Sequence, residues 1–262
     1  MLEKKSNLSY VDLKRPTIFA HRGASAFAPE NTLAAFKHAI ELHADGIELD
    51  AKLTADGQVV VIHDDTVDRT TNGTGRVDLL TLAELQRLDA GTKFSPKFAL
   101  EKIPSLEEVF ETIGQKIFID IELKNYSSPT DELPDKVAAL VKKYQLEDTV
   151  LLSSFNLIAL IRARKLLPKI PLGFITIPGF ADLTIRTRLL RFGPLFALHP
   201  YYTDVSPYLI QSAHQSKCRI IPYTVNQPDL IRKLINAGVD GIFTDDPLLA
   251  IKLLSEIILN YP

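Results

Sequence analysis

The stretch GIELDAKLTADGQVVVIHD, residues 46–64, decides how the chain folds. It contains two β-rich runs, 46–53 and 59–63, separated by little more than Ala55-Asp56-Gly57. A parallel crossover needs a dozen or more residues, so these runs form an antiparallel hairpin. Around them, β-rich runs at 17–21, 116–123, 149–153, 172–176, 196–199, 219–225 and 241–244 alternate with helix-period segments at 31–44, 81–89, 105–114, 131–145, 156–167, 183–192, 205–216, 227–237 and 247–259. In the first helix Leu33, Phe36 and Ile40 fall at helical spacing, with Asn31 as its expected N-cap. Setting aside the return strand 59–63 leaves eight strands, each followed by helical sequence. That is the α/β pattern of a TIM (β/α)8 barrel with helices outside. An open doubly wound sheet is the alternative, but no Gly-rich phosphate fingerprint follows the first strand.

The hairpin also carries a geometric expectation. Glu48 and Asp50 share one face by the strand period of two. A two-residue loop at Ala55-Asp56 sets His63 opposite Glu48, and one at Asp56-Gly57 sets it opposite Asp50; both gather the three side chains on one face. A three-residue loop would put His63 opposite Leu49 and break the site.

Residues 64–105 leave the strand–helix rhythm. The run DDTVDRTTNGTGRVD is rich in Thr, Asn, Asp and Gly, and Pro96 and Pro104 close the region. It reads as an insertion after the second strand, lying over the barrel mouth, a common place for specificity. With no internal repeat or linker, residues 1–262 are expected to form one barrel domain.

Glu48, Asp50 and Glu122 are the candidate metal ligands. Inward residues at the C-terminal ends of barrel strands converge on one mouth. Three carboxylates there repel unless a cation joins them, and all-oxygen ligation suits Mg²⁺, Ca²⁺ or Mn²⁺ over Zn²⁺. Asp120 has the parity of Glu122 but sits lower. His21 and His63 each end a strand-like run, IFAH and VVVIH, where imidazole exchanges protons near neutral pH. Arg22 and Lys124 suit a phosphate, Arg as a bidentate fork and Lys as a point charge; each also suits neutralising the acids. His199, in ALHPYY, ends a strand and is within reach of the mouth. His38, His43 and His214 fall in helices and read as surface residues. Acids for a hard cation, fixed positive charge for an anion and two imidazoles point to metal-assisted cleavage of a phosphate ester.

Composition narrows the classes. Hydrophobic residues make up 46% of the 262 and charged residues 24%, as in a globular chain that buries a sizeable core. A net charge of −2 gives no strongly basic face for nucleic acid. Cys218 is the single cysteine, so no internal disulfide forms. The first residues, MLEKKSNLSYVDLKRP, lack the apolar run of a signal peptide, and no stretch approaches the ~20 apolar residues of a membrane span. A cytoplasmic protein is expected. The basic run from Arg162 to Arg191, with Arg164, Lys165, Lys169, Arg186 and Arg188 and only Asp182 as an acid, reads as solvated helix faces; weak attraction to anionic lipid surfaces is the sharper alternative. Oligomeric state is open.

With these residues in place, the chain closely resembles the glycerophosphodiester phosphodiesterase family in its cytoplasmic bacterial form. HRGASAFAPENT, GIELDAKLTADGQVVVIHD, the RTTNGTG loop, IELK, YTVN and GVDGIFTDDP run in the family's order from residue 19 to residue 247. The resemblance implies a TIM barrel that hydrolyses glycerophosphodiesters, the deacylated phospholipids, to glycerol 3-phosphate and an alcohol. By position, Glu48, Asp50 and Glu122 match metal ligands, His21 and His63 the acid–base pair, and Arg22 and Lys124 phosphate contacts. The insertion matches a segment near the glycerol end of the substrate. Tyr223 stands where the family often has Trp before TVN, which keeps a ring wall but bears on substrate preference. In the implied mechanism a cation lends Lewis-acid charge, one histidine takes the nucleophile's proton and the other protonates the leaving alcohol. Either division is open, with His21 as base and His63 as acid favoured, and the nucleophile is water or the glycerol 2-hydroxyl. The rivals are a lipid phosphodiesterase of the phospholipase D or sphingomyelinase type, a non-catalytic phosphodiester-binding barrel and a metal-dependent aldolase. The first should be secreted, the second would normally have lost an acid or a histidine, and the third does not need two histidines with Arg22 and Lys124.

Overall fold

Alternation along the strands sorts their side chains between an interior and a surrounding layer of helices. A computed structural model describes residues 8–10, 13–181 and 195–260. The expected helix at 183–192, with Asp182 and the basic residues Arg186, Arg188 and Arg191, lies outside the described residues. Nine strands are described: β1 (Thr17–Ala20), β2 (Gly46–Leu53), β3 (Val59–Val61), β4 (Phe118–Leu123), β5 (Val150–Ser154), β6 (Leu172–Ile175), β7 (Ala197–His199), β8 (Arg219–Ile220) and β9 (Gly241–Thr244). They form one sheet in the order β8-β7-β6-β5-β4-β2-β1-β9, with β3 paired only to β2. Every pairing on that path is parallel. Asp240 N–H donates to Ile220 O at 2.8 Å and Phe243 N–H to Pro222 O at 3.0 Å, carrying the ring from β8 round to β9. The result is an eight-stranded (β/α)8 barrel bearing a hairpin and an insertion after the second strand.

Outward residues of β2 and β4 (Ile47, Leu49, Ala51, Ile119, Ile121 and Leu123) pack with Phe36, Val109, Phe110, Val137 and Val141 from the covering helices. Inward residues alternate with them and change character along the axis. At the lower end Tyr10, Leu13, Phe19, Phe118, Leu151, Ile221 and Phe243 fill the bore as an apolar plug. One step higher come Glu48, Asp50, Asp120 and Glu122. The barrel is therefore largely apolar below, where the buried cation Arg219 lies over the Phe196 ring, and acidic at its C-terminal mouth. Gly46 makes room for the plug, since a Cβ there would lie 2.4 Å from the Phe19 ring.

The helix termini follow local rules. The first helix, α1 (Leu33–Glu41), is capped by Thr32, which accepts from Ala35 N–H, and not by the expected Asn31. Asn31 instead sits at φ +58° and directs its amide inward. The insertion has a small core of its own: Val67, Val77, Leu85, Ala90 and Ile103 pack on Val60 and Ile62 of the hairpin. Within it the expected helix at 81–89 is only a turn, α2 (Leu82–Leu85), opened by a Thr81–Glu84 capping box.

The hairpin register differs from expectation. Leu53 pairs with Val59, Lys52 with Val60 and Ala51 with Val61. The loop is thus the three-residue Ala55-Asp56-Gly57. Thr54 N–H donates to Gln58 O at 3.0 Å, and Gly57 takes φ +69°, the left-handed residue that closes such loops. Continued upward, this register would set His63 opposite Leu49 and away from the acids. The ladder stops first. Ile62 N–H makes the last bond, to Asp50 O at 2.9 Å, and His63 falls at a bend beyond β3. Its direction is set by that bend and not by pleat parity.

Two glycines test this account. Gly57→Ala has open space around its new methyl, so the left-handed backbone alone sets the cost, about 1 kcal/mol. Gly46→Ala drives a methyl into the Phe19 ring and should cost more, about 1–3 kcal/mol. Urea unfolding midpoints of the two variants should fall in that order.

Candidate active site

The mouth of the barrel opens into a cavity of about 280 Å³ whose lining includes His21, Arg22, Glu48, His63, Glu122 and Lys124. Glu48 and Asp50 stand on β2, and Glu122 lies beside Asp50 because the register of β2 with β4 pairs those two positions. One oxygen from each of the three acids lies within 4.8 Å of the others, and all three residues are buried. Asp50 Oδ1 is buried without a hydrogen bond, and the donors are oxygens only. This set fits a hard divalent cation such as Mg²⁺, Ca²⁺ or Mn²⁺.

Two cations offset part of the repulsion. Lys124 Nζ lies 3.5 Å from Asp50 and 3.3 Å from Glu122, and Arg22 Nε lies 3.4 Å from Asp50. The Arg22 backbone N–H also donates to Glu48 Oε2 at 2.9 Å, which its left-handed φ of +55° accompanies. Burial and the neighbouring charges of Asp50 and Glu122 push Glu48 well above the usual carboxylate range. Burial also raises Glu122 to about 7, despite Lys124. For Asp50 the desolvation is outweighed by Lys124 and Arg22, which draw it down to about 2. Part of the acid cluster therefore holds protons when no cation is bound.

The two histidines are built alike. His21, just past β1, has Nδ1 2.7 Å from Asp245 Oδ1, and its Nε2 lies 4.0 Å from Glu48. His63 has Nδ1 2.6 Å from Asp64 Oδ1. With a carboxylate on Nδ1, each ring is oriented to offer Nε2 to the cavity. Burial, aided by Lys124 and Arg22, holds His63 below the usual imidazole value.

All seven residues picked from the sequence as catalytic, phosphate-binding or metal-binding meet in this one region. Several partners had no assigned role. Asp64 and Asp245 follow directly in the runs IHDD and FTDD, but spacing does not say which acid turns toward a histidine. Asn31 donates to Asp50 Oδ2 at 2.8 Å. Glu30 accepts from Arg22 at 2.9 Å and from both Nη1 and Nη2 of Arg69 at 2.7 Å, tying the insertion to the mouth. Tyr126 donates to Glu122. His199 reaches the cavity floor: its Nδ1–H donates to Ile221 O at 3.2 Å and Nε2 faces Asp120 at 3.4 Å. Gly173 leaves space for that ring, since a Cβ would lie 2.2 Å from Nε2. Of the basic run, Arg162 donates to Asp131 O and pairs with Asp135, and Arg164 donates to Pro168 O at 3.0 Å.

A parallel barrel with an acidic, imidazole-flanked mouth defines a class, that of TIM-barrel enzymes built for phosphate ester chemistry. The comparisons narrow it. Residues 21–249 match the model of the Glycerophosphoryl diester phosphodiesterase family. A glycerophosphodiester phosphodiesterase of Caldanaerobacter subterraneus subsp. tengcongensis is 44% identical over 243 residues, covering 91% of this chain and 98% of that one. One from Bacillus altitudinis is 40% identical over 246 residues, covering 92% and 98%. Among solved structures, an Oleispira antarctica phosphodiesterase in complex with the product sn-glycerol-3-phosphate superposes with a TM-score of 0.85 at 31% identity, over 92% of this chain and 97% of that one. The chain belongs to the glycerophosphodiester phosphodiesterase family. Among the described residues, no helix is long and apolar enough to cross a membrane.

Because protons and cation compete for Glu48 and Glu122, cation affinity should rise as pH increases from 6 to 8, and binding should release protons. Titration calorimetry of the metal-stripped protein in two buffers of different ionisation enthalpy measures both. Affinity independent of pH, with no proton release, would contradict the protonated cluster.

Proposed function

We propose that this chain hydrolyses glycerophosphodiesters to glycerol 3-phosphate and an alcohol, with Glu48, Asp50 and Glu122 as the ligands of a divalent cation. Family membership supports the reaction. The observation that carries the site is the meeting of three buried carboxylates and two acid-backed histidines around one cavity. A cation held there would supply Lewis-acid charge to the reaction.

The chain's own residues do the rest. Arg22 and Lys124 flank the acids and hold the phosphodiester anion, offsetting charge that develops on its oxygens as the nucleophile attacks. His21 and His63 exchange protons from Nε2: one takes the proton of the attacking water or glycerol 2-hydroxyl, and the other delivers a proton to the departing alcohol. Asp245 and Asp64 fix each ring through its Nδ1. Since both rings have the same kind of partner, the geometry supports the pair without dividing the roles. The polar side toward the insertion, with Glu30, Asp64 and Arg69, is the side for the glycerol hydroxyls.

Metal-stripped protein incubated with glycerophosphocholine, glycerophosphoethanolamine and glycerophosphoinositol should release glycerol 3-phosphate only when Mg²⁺, Ca²⁺ or Mn²⁺ is restored. Release without metal would remove the three-carboxylate site from the mechanism. His63→Ala should lower kcat by roughly 10²–10⁴ while the fold persists, the usual share of general acid–base catalysis. Near-normal turnover by that variant would remove His63 from the reaction.

A further inference from the structure

The wall of the cavity across from the insertion is aromatic. Phe155, on the loop after β5, Tyr201 and Tyr202, after β7, and Tyr223, after β8, all line it. Successive rings meet edge to face. Tyr126 lies 5.5 Å from Phe155 at 90°, Phe155 lies 6.1 Å from Tyr223 at 88°, and Tyr223 lies 5.8 Å from Tyr201 at 68°. Tyr201 and Tyr202 close the series as a tilted pair, at 4.5 Å and 39°. The other contacts turn corners, and Phe155, Tyr201, Tyr202 and Tyr223 all border the cavity, so the rings wall it from several sides. The Tyr223 hydroxyl donates to Thr176 O at 2.8 Å, which anchors that ring.

Among the described lining residues Arg22 is paired with Glu30 and Asp50, and Lys124 with Asp50 and Glu122, its Nζ also lying 5.2 Å from the centre of the Tyr126 ring at the edge of the wall. Neither lies over the four rings of the box. Asp204 lies close enough to Tyr223 to act on its hydroxyl electrostatically. Aromatic faces attract a cation. They also discriminate between cations. A primary ammonium carries three N–H donors that need acceptors, whereas a quaternary ammonium carries none and loses little when rings replace water. A polyol such as inositol would leave its hydroxyls unpaired against the same wall.

We infer that the aromatic box formed by Phe155, Tyr201, Tyr202 and Tyr223 is the leaving-group subsite, and that it selects glycerophosphodiesters of a quaternary ammonium alcohol of the choline class. The inference rests on the proposed hydrolysis and assigns its preferred substrate. Glycerol and phosphate occupy the polar half of the mouth, and the trimethylammonium group faces the rings.

The test compares kcat/KM for glycerophosphocholine, glycerophosphoethanolamine and the 3,3-dimethylbutyl ester, an uncharged isostere of the choline ester, by release of glycerol 3-phosphate with Mg²⁺ present. The choline ester should lead both others by about tenfold or more, the range of a desolvated cation–π contact. Tyr201→Leu should bring the three values close together, and Tyr201→Phe, which keeps the ring, should preserve the preference. Equal rates for the choline and ethanolamine esters would overturn the inference. So would an isostere turned over as fast as the choline ester, since the wall would then be merely apolar. Turnover of the ethanolamine ester without the choline ester sinks the box and leaves hydrolysis standing. No turnover of any ester sinks the hydrolytic reading and the box with it.

Discussion

Three carboxylates confined to one buried corner repel one another, and the mouth of this barrel is organised around that repulsion. Glu48, Asp50 and Glu122 each bring an oxygen within 4.8 Å of the other two, and all three residues are buried. Fixed positive charge, protonation and bound cation are the three ways to relieve such a cluster. The fold supplies the first through Arg22 and Lys124, burial and mutual repulsion favour the second by raising Glu48 and Glu122, and the third is the chemistry the site is proposed to perform. In the proposed reaction the same two fixed cations would hold the phosphate once a metal shares the acids, so that structural neutralisation and substrate binding would be one feature in two states.

The barrel tolerates this charge because it separates it from the core. The apolar plug around Tyr10, Phe19 and Phe118 fills the lower bore, and the outward residues of β2 and β4 pack the strands against the helices. Register sets the side-by-side placement of Asp50 and Glu122, which no local preference would bring together. Asn31 and Glu30 fix the neighbouring side chains from α1's entry loop, and Arg69 carries that scaffold into the insertion.

Much of this was legible in the residues. Period-two alternation and helical spacing give the strands and helices, and parity alone puts Glu48 with Asp50 and Asp120 with Glu122. The hairpin is legible as a hairpin, but its loop length is not. Asp-Gly suits both a two-residue turn and the left-handed third position of the loop that forms, and the difference is one residue. The expected consequence for His63 then fails for a second reason, because the ladder ends at Val61 and parity no longer applies. Partners distant in sequence were beyond reach as well: His21 and Asp245 meet across 224 positions, and only closure of the barrel brings them together. Asn31 has the residue type of an N-cap, and the neighbouring Thr32 takes that place.

On the proposed function, Glu48 is kept for the cation at a cost to the metal-free fold. Its raised folded-state pKa means that stability falls with rising pH, from the unfolded-state value up to the folded one. Thermal unfolding of wild type and Glu48→Gln, each metal-stripped and with Mg²⁺ or Mn²⁺ added, at pH 5 and pH 8, measures that directly. Without metal, the variant should melt at or above wild type at pH 8, by a margin larger than at pH 5, and it should lose most of the rise in Tm that metal gives wild type. A variant that melts below wild type at pH 8 and keeps its full metal-induced rise would contradict the account.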